Sequence, residues 1–385
     1  MQPNSNSKKE YLNKTKIEFY KEIKKYQLEF KPSKEVEGYA STAIVGEKNY
    51  PNLKIHNVSN ENKSNSFFNS SEIVKSNYSE IIKLKARNIF GTTDSLNIRK
   101  VDDRINEELS NIYKSKKAVG IASEFENELR FDKVALSGDF GILGSKNSLV
   151  NVKATENTQT STKIEKYITN DIKAKEAIIS LYESKVNESQ ITNLLSLGNF
   201  GLNFNKKMVP TKWAISAYDQ TIEKYLFEEM RNYKPIDKYE LYNFKDKGNE
   251  FVIILFPYIF SAEVVETFPG AIERDVINFE NKLDKENPAT AGGYYATKLA
   301  IFEHLRNRKK LTAFISLRVI ADYELPLGVV FVRETVRLAM KNNKICLSNQ
   351  NELETYLKFN YPQHYNLYIN SPVLKEIKTK RITDF

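Results

Sequence analysis

Residues Ala291 to Ala300 read AGGYYATKLA. Two glycines open an amphipathic run in which Tyr295, Leu299 and Phe302 recur at helical spacing, and the small side chains of Ala296 and Ala300 allow close packing. A helix is expected to begin at Gly292 or Gly293. The first N–H groups of a helix have no partner inside it, and no bulky side chain shields them here. A phosphate or carboxylate can therefore approach the positive end of the dipole closely, with Tyr294 and Lys298 beside it. The alternative is a tight Gly-Gly loop ahead of an ordinary core helix.

The charge downstream favours an anion. Between Lys298 and Arg318 stand six basic residues, Lys298, Arg306, Arg308, Lys309, Lys310 and Arg318, against one acid, Glu303. Arginine is scarce elsewhere: of twelve in 385 residues, Arg306, Arg308, Arg318, Arg333 and Arg337 fall within 32. In a chain that otherwise uses lysine, arginine is expected where a planar bidentate donor to phosphate or carboxylate is required. The run Arg306 to Lys310 has a simpler explanation, since cations favour a helix C-terminus by ~0.3–1 kcal/mol. That explanation does not reach Arg318 and Arg333, which lie on expected strands, Ala313 to Val319 and Val329 to Arg333.

A chain of 385 residues with 41% hydrophobic content can bury a substantial core. Its net charge of +9 and pI near 9.1 suit an anionic partner, nucleic acid or a membrane surface. No apolar run approaches the ~18–20 residues that span a bilayer, and MQPNSNSKKEY lacks the apolar segment of a secretory signal, so a cytoplasmic location is expected. One cysteine, Cys346, and three dispersed histidines, His56, His304 and His364, exclude intrachain disulfides and a cysteine-based zinc site. Cys346 is expected to be a small buried hydrophobe. Without a nucleophile elbow, acyl-transfer chemistry is not expected.

Four regions are expected: a lysine-rich appendage (1–40), a β-rich and loop-rich part (41–160), an α/β core (161–370) and a C-terminal tail (371–385). A hairpin should turn between Gly46 and Pro51. The Ser/Asn-dense stretch Asn57 to Ser79 reads as a surface loop. SGDFGILGS, with glycines at 138, 141 and 144, lacks the Gly-Lys-Ser/Thr of a phosphate loop and reads as a turn-rich surface segment. Asp171 should cap a helix carrying Ala174, Ala177, Ile178 and Leu181, and a second helix carries Ile191, Leu194 and Leu195 before Gly198. Lys206, Lys207 and Lys212 flank the sole tryptophan, Trp213, ahead of an expected strand to Ala217 and a helix from about Asp219. Trp213 is either a stacking surface for nucleic acid or a core residue. Tyr239 to Phe244 and Phe251 to Phe256 form an expected hairpin about Lys247-Gly248. The class is mixed α/β (α+β): a central mixed sheet of about five strands flanked by helices, with a less regular N-terminal region.

Four segments, STAIVGEKNYP, NKKMVPTKWAISAYD, NPATAGGYYATKLAIFEHL and ADYELPLGVVFVRETVRLAM, follow the order found in the archaeal Nre family of DNA-repair proteins, which the chain resembles from Ser41 to Lys341. The resemblance implies a role in repair of damaged DNA together with the replication sliding clamp, PCNA. Two departures stand out. Many relatives carry a cysteine-rich zinc-binding segment at the N-terminus, whereas the lysine-rich appendage here has no cysteine. The family often ends in a clamp-binding box of glutamine, an aliphatic and two aromatics. In KTKRITDF the glutamine position is Thr379, the aliphatic is Ile382 and the single aromatic is Phe385. On a 3₁₀ turn Ile382 and Phe385 eclipse and can enter one pocket, while Lys378, Lys380 and Arg381 suit an acidic clamp surface. A frayed tail is the alternative, and the missing glutamine and aromatic imply weak, transient binding.

The functional expectation is a DNA-repair protein that binds DNA or nucleotide phosphates through Lys212, Trp213, Gly292, Gly293, Tyr294, Lys298, Arg318 and Arg333, and the clamp through Thr379, Ile382 and Phe385. Its partners are DNA and the clamp, with no membrane and no cofactor. Divalent metal enters only if the protein is a nuclease. Asp219 and Glu223, one helical turn apart, and Glu273 and Asp275, on one strand face, have spacings common on solvated surfaces, so no metal ligand or catalytic residue is assigned. The competing reading is a non-enzymatic adaptor that contacts the clamp and other repair proteins.

Overall fold

A computed structural model of the chain describes residues 33–61, 74–130, 134–137, 141–268, 271–278, 292–320, 328–342 and 344–379, together with residues 17, 20, 21, 24 and 25. Most of the lysine-rich appendage and residues 62–73 of the Ser/Asn-dense stretch Asn57 to Ser79 lie outside the described residues. Asn57 to Asn60 of that stretch continue a buried strand rather than the expected surface loop. The chain forms two units, one built on Lys16–Ile222, the other on Glu223–Leu325 and Val329–Phe385.

In the first unit, β1 (Glu35–Val45) and β2 (Asn52–Asn60) form the expected hairpin. After α1 (Tyr78–Ala86) come β3 (Ile89–Asn97), α2 (Arg104–Tyr113), β4 (Gly120–Phe125), β5 (Val134–Ser137) and β6 (Gly141–Ala154). Strand β1 serves two neighbours: its first half pairs antiparallel with β4, from Glu35↔Glu124 to Tyr39↔Gly120, and its second half with β2. Strand β2 pairs with β3, and β4 with β6, both antiparallel. A parallel contact between β3 and β6, from Ile89↔Ser145 to Thr92↔Ser148, closes the circuit β1-β2-β3-β6-β4 on itself. Five strands in this order, with a helix between the third and fourth, make an OB-type barrel. Where the sequence indicates a less regular region, the chain closes a barrel.

SGDFGILGS contributes to both β5 and β6, so it is not the turn-rich surface segment expected. One of its glycines serves close approach. Gly144 has φ 132, and a Cβ there would lie 2.3 Å from the Asn88 carbonyl oxygen. The next amide, Ser145, donates to that same oxygen at 3.1 Å. Ile44, Val58, Phe90 and Leu143 cluster in the interior, and α2 buries Leu109 and Ile112 while packing on β6.

Three helices come next, α3 (Thr162–Thr169), α4 (Ala174–Glu183) and α5 (Glu188–Ser196). Asp171 does not cap α4: Lys173 holds that position without a side-chain cap, and Asp171 instead accepts the Asn203 amide at 2.7 Å. Helix α5 packs on β1, where Thr42 donates to Asn193 at 3.0 Å. The strand expected before Ala217 is absent, because residues 211–230 form one helix, α6 (Thr211–Met230). Ala214, Tyr218, Ile222, Leu226 and Met230 are all buried, a stripe of four-residue period that outweighs the short β-like run. The division between the units runs through this helix, where composition does not change.

The second unit is a mixed sheet flanked by helices, as expected. Its elements are β7 (Tyr239–Asp246), β8 (Asn249–Phe256), β9 (Ser261–Phe268), β10 (Ala271–Asn278), α7 (Gly292–Asn307), β11 (Ala313–Ile320), α8 (Gly328–Ala339), β12 (Ile345–Leu347), α9 (Gln350–Asn360), α10 (Pro362–Tyr368) and α11 (Pro372–Lys378). The strand order is β10-β9-β11-β8-β7-β12, with β9 and β11 parallel. The β7–β8 hairpin turns at Lys247 and Gly248 with φ of 47° and 71°, the two-residue loop the sequence indicates. One face of the central strands, including Val252, Ile254, Ile315 and Leu317, packs with Leu353, Leu357, Tyr368 and Leu374 of α9 to α11. On the other face Phe314 meets Phe302 of α7 and Phe260.

Val329 to Arg333 is not a strand but the first half of α8, where buried Phe331, Val332, Thr335, Val336 and Ala339 follow helical spacing. Residues 372–378, expected in the tail, form α11 and bury Val373 and Leu374. Cys346 is exposed on β12, not buried. Among the described residues no helix is long and apolar enough to cross a membrane.

Barrel closure is testable at Gly144. Replacement by alanine is expected to destabilise the protein by about 2 kcal/mol or more, through backbone strain plus collision with Asn88. Gly201, with φ 121 but no atom within 4 Å of an added Cβ, isolates the backbone strain alone. Urea unfolding should show Gly144→Ala costing clearly more than Gly201→Ala; equal costs would contradict the close approach.

Candidate nucleic-acid interface

The clustered arginines stand in the second unit, where carboxylates of the chain itself hold Arg306, Arg308, Arg318 and Arg337. Arg306 pairs with Glu229 at 2.7 Å. Arg308 forks onto Glu240 at 2.5 and 2.7 Å. Arg337 forks onto Glu303 at 2.7 and 2.8 Å and reaches Glu334 at 2.7 Å. Arg318, 7% exposed, donates to Glu266 at 2.8 Å and twice to Asn249, at 2.9 and 2.6 Å. Arg333, on α8 rather than on a strand, is buried. Burial alone would raise the Glu240 carboxyl, but hydrogen bonds from Arg308, Lys344 and Tyr242 outweigh it and hold the group down to about 2.

Lys298 is buried deeper still. Its ammonium pairs with Glu223 and lies 5.2 Å from the ring centre of Tyr294 and 5.6 Å from that of Phe302. Burial pushes the lysine down and the glutamate up, while each partner's charge opposes the shift. Removing one member alone would leave an uncompensated buried charge, at a cost of about 3–5 kcal/mol.

Helix α7 begins at Gly292, as expected, and Gly293 and Tyr294 are buried. An anion does stand at this helix start, and it belongs to the protein. A Cβ on Gly293 would lie 3.1 Å from a Glu266 carboxylate oxygen, the oxygen that also accepts from Arg318. The structure therefore brings Gly293 and Arg318 together around an internal carboxylate.

Lys212 and Trp213 lie elsewhere, on the first turn of α6, and both are exposed. The core-tryptophan alternative does not describe Trp213, which is 45% exposed and faces Tyr50, 46% exposed, with ring centres 5.5 Å apart at 42°. Two local features position the pair. The Val45 amide at the end of β1 donates to the Thr211 hydroxyl at 2.8 Å, fixing the start of α6 beside the β1–β2 loop. Within that loop Asn49 has φ 66, and its carbonyl accepts the Asn52 amide at 2.8 Å, which turns the chain beside Tyr50. Lys48, Lys54, Lys207 and Lys212 are exposed, whereas Lys206 is tied to the Ile168 carbonyl at 2.7 Å. Sequence reasoning does not single out Tyr50; the signal it offers is an aromatic at a lysine-bearing hairpin tip.

A cleft of about 750 Å³ on the same barrel is lined by Lys54 and Lys146 but also by Asp94, Asp103 and Glu126, so it offers a phosphate no net positive lining. Asp219 and Glu223 are buried on α6 rather than solvated. Glu273 and Asp275 both lie within β10. Among the described residues no group of three or more His, Cys, Asp or Glu could hold a metal ion. Thr379 is exposed at the end of α11, and Ile382 and Phe385 lie outside the described residues.

The α7 start yields a double-mutant test. Gly293→Ala gains helix propensity of up to ~1 kcal/mol but must push the Glu266 carboxylate a few tenths of an ångström against its bond to Arg318, so it is expected to gain less than that propensity or to lose up to about 1 kcal/mol. In a Glu266→Ala background the obstruction is gone, and the same change should be neutral or stabilising. Equal effects in both backgrounds, measured by denaturant unfolding, would contradict the internal-anion geometry.

Comparison with known proteins agrees with the order of the sequence segments. Residues 14–271 match the family profile described as Archaeal Nre, N-terminal, and residues 280–385 the profile described as Archaeal Nre, C-terminal. The chain is 36% identical over 224 residues to DNA repair protein NreB of Archaeoglobus fulgidus, covering 56% of each protein. It is 33% identical over 201 residues to DNA repair protein NreA of the same organism, covering 50% of this chain and 51% of the relative. To DNA repair protein NreA of Haloferax volcanii it is 31% identical over 184 residues, 44% of each. The chain thus spans about half the length of the curated relatives it matches. No solved structure matches it. Since the two profiles together cover nearly all of its length, the chain belongs to the archaeal Nre family.

Proposed function

We propose that the chain is a DNA-repair protein of the cytoplasm that binds DNA and is brought to damaged DNA by the replication sliding clamp. The observation that carries this reading is its membership of a family whose compared members bear the name DNA repair protein. The net charge of +9 supports an anionic partner.

DNA contact is assigned to Lys212 and Trp213, with Lys207 added, because these side chains are exposed. Gly293, Tyr294, Lys298, Arg318 and Arg333 are given structural roles, because they are buried and the chain's own carboxylates engage Lys298 and Arg318. The clamp contact is assigned to Thr379, Ile382 and Phe385. Support comes from α11, whose buried Val373 and Leu374 anchor the chain just before the exposed Thr379.

Deleting Arg381 to Phe385, or changing both Ile382 and Phe385 to alanine, is expected to abolish clamp binding with little change in melting temperature. Undiminished clamp binding by the truncated protein would remove the motif from the account. Replacing Lys207 or Lys212 by alanine should lower the slope of log K against log salt on duplex DNA by ~0.9 for each phosphate that lysine neutralises. Clamp binding without any DNA binding would favour the adaptor reading instead.

A further inference from the structure

We infer that the barrel unit carries a binding site for single-stranded DNA, in which Tyr50 and Trp213 form a stacking platform for unpaired bases and Lys48, Lys207 and Lys212 hold the adjoining phosphates. This rests on the DNA-binding reading above and narrows its ligand to strands whose bases are open.

Three independent features converge on the platform. The first is topology: barrels with the circuit β1-β2-β3-β6-β4 bind oligonucleotides over the face of their second and third strands and with the loop joining the first two. Tyr50 stands in that loop, between β1 and β2.

The second is exposure. Trp213 and Tyr50 leave nearly half of their surfaces in water, although aromatic side chains of this size contribute most when covered. They are held there by the Val45–Thr211 amide-to-hydroxyl hydrogen bond and the backbone turn at Asn49, neither of which uses a ring atom, so both are indifferent to whatever covers the rings. Tilted by 42°, the two rings present two planes rather than one closed stack, which suits successive bases.

The third is charge. The segments that carry the rings, residues 46–54 and 206–213, contain Lys48, Lys54, Lys206, Lys207 and Lys212 against one acid, Glu47. A strand passing over the rings would bring its phosphates among these lysines. Duplex DNA offers the lysines the same phosphates, but its base faces are already stacked on one another. The rings therefore distinguish single strands from duplex, and the lysines do not.

Trp213 is the only tryptophan, so its emission reports on the platform directly. In the full-length protein, an oligo(dT) of about 12 nucleotides, within the usual span of an OB barrel, should quench this emission saturably. By anisotropy of the labelled strand, Trp213→Ala is expected to weaken binding roughly 5- to 100-fold and Tyr50→Ala about 10-fold, with Trp213→Phe keeping most of the affinity. The same variants should weaken binding to a duplex of equal length by a clearly smaller factor.

The proposal is overturned if the wild-type protein binds DNA yet single-strand affinity is unchanged in folded Tyr50→Ala and Trp213→Ala proteins. Equal losses on single strand and duplex would also overturn it, as would tighter binding to oligo(U) than to oligo(dT), or loss of clamp binding on Trp213→Ala with DNA binding intact. Should the wild-type protein bind neither single strand nor duplex, the broader DNA-binding reading falls with it.

Discussion

Four residue pairs, Ile89 to Thr92 of β3 against Ser145 to Ser148 of β6, turn an open sheet into a barrel. Parallel neighbours cannot be joined by a hairpin, so α2, β4 and β5 come between them, and the contact closes a long loop of chain at an entropic cost. Once made, it leaves the circuit without a free edge. Strand β1 is then fixed on both sides, by β2 and β4, and becomes the support for α5 and α6. Asn193 of α5 bonds to Thr42, and Thr211 at the start of α6 receives the Val45 amide. The meeting of Tyr50 with Trp213 is the outward end of this chain of contacts. The Gly144 backbone, pressed against Asn88, is its inward end.

The second unit is governed by a different constraint, the cost of placing charge inside. Arg308, Arg318 and Arg337 are each met by a carboxylate in fork or network geometry, and Lys298 by Glu223. Planar bidentate pairing accounts for the concentration of arginine here, as the sequence suggests. What sequence alone does not reveal is who owns the carboxylate. Glu229, Glu240 and Glu266 lie 77, 68 and 52 residues from the arginines they meet. A local count of charge therefore sees an excess of cations where the folded chain has pairs.

Legibility tracks the range of the forces involved. The β7–β8 hairpin, the apolar β8 and β11, and the helix starting at Gly292 rest on local periodicity and turn chemistry, and all are readable. Two runs mislead for one reason. WAISA and VVFVR are short and rich in β-forming side chains, but each belongs to a longer stripe of helical period, and tertiary packing selects the longer pattern. The barrel is not legible, because its defining contact joins residues more than 50 positions apart through backbone groups that every residue possesses. Lys212 and Trp213 are legible as a basic-aromatic cluster. Tyr50 is hidden because only the fold brings its hairpin tip to the start of α6.

The central claim is that DNA meets the barrel unit and not the arginine-rich unit, and photochemical cross-linking tests it most directly. Single-stranded DNA carrying bromodeoxyuridine would be irradiated with the full-length protein and the adducts located by peptide mass spectrometry. The account predicts adducts on the peptides containing Tyr50 and Trp213. Adducts confined to residues 292–337, with none on either of those peptides, would contradict it.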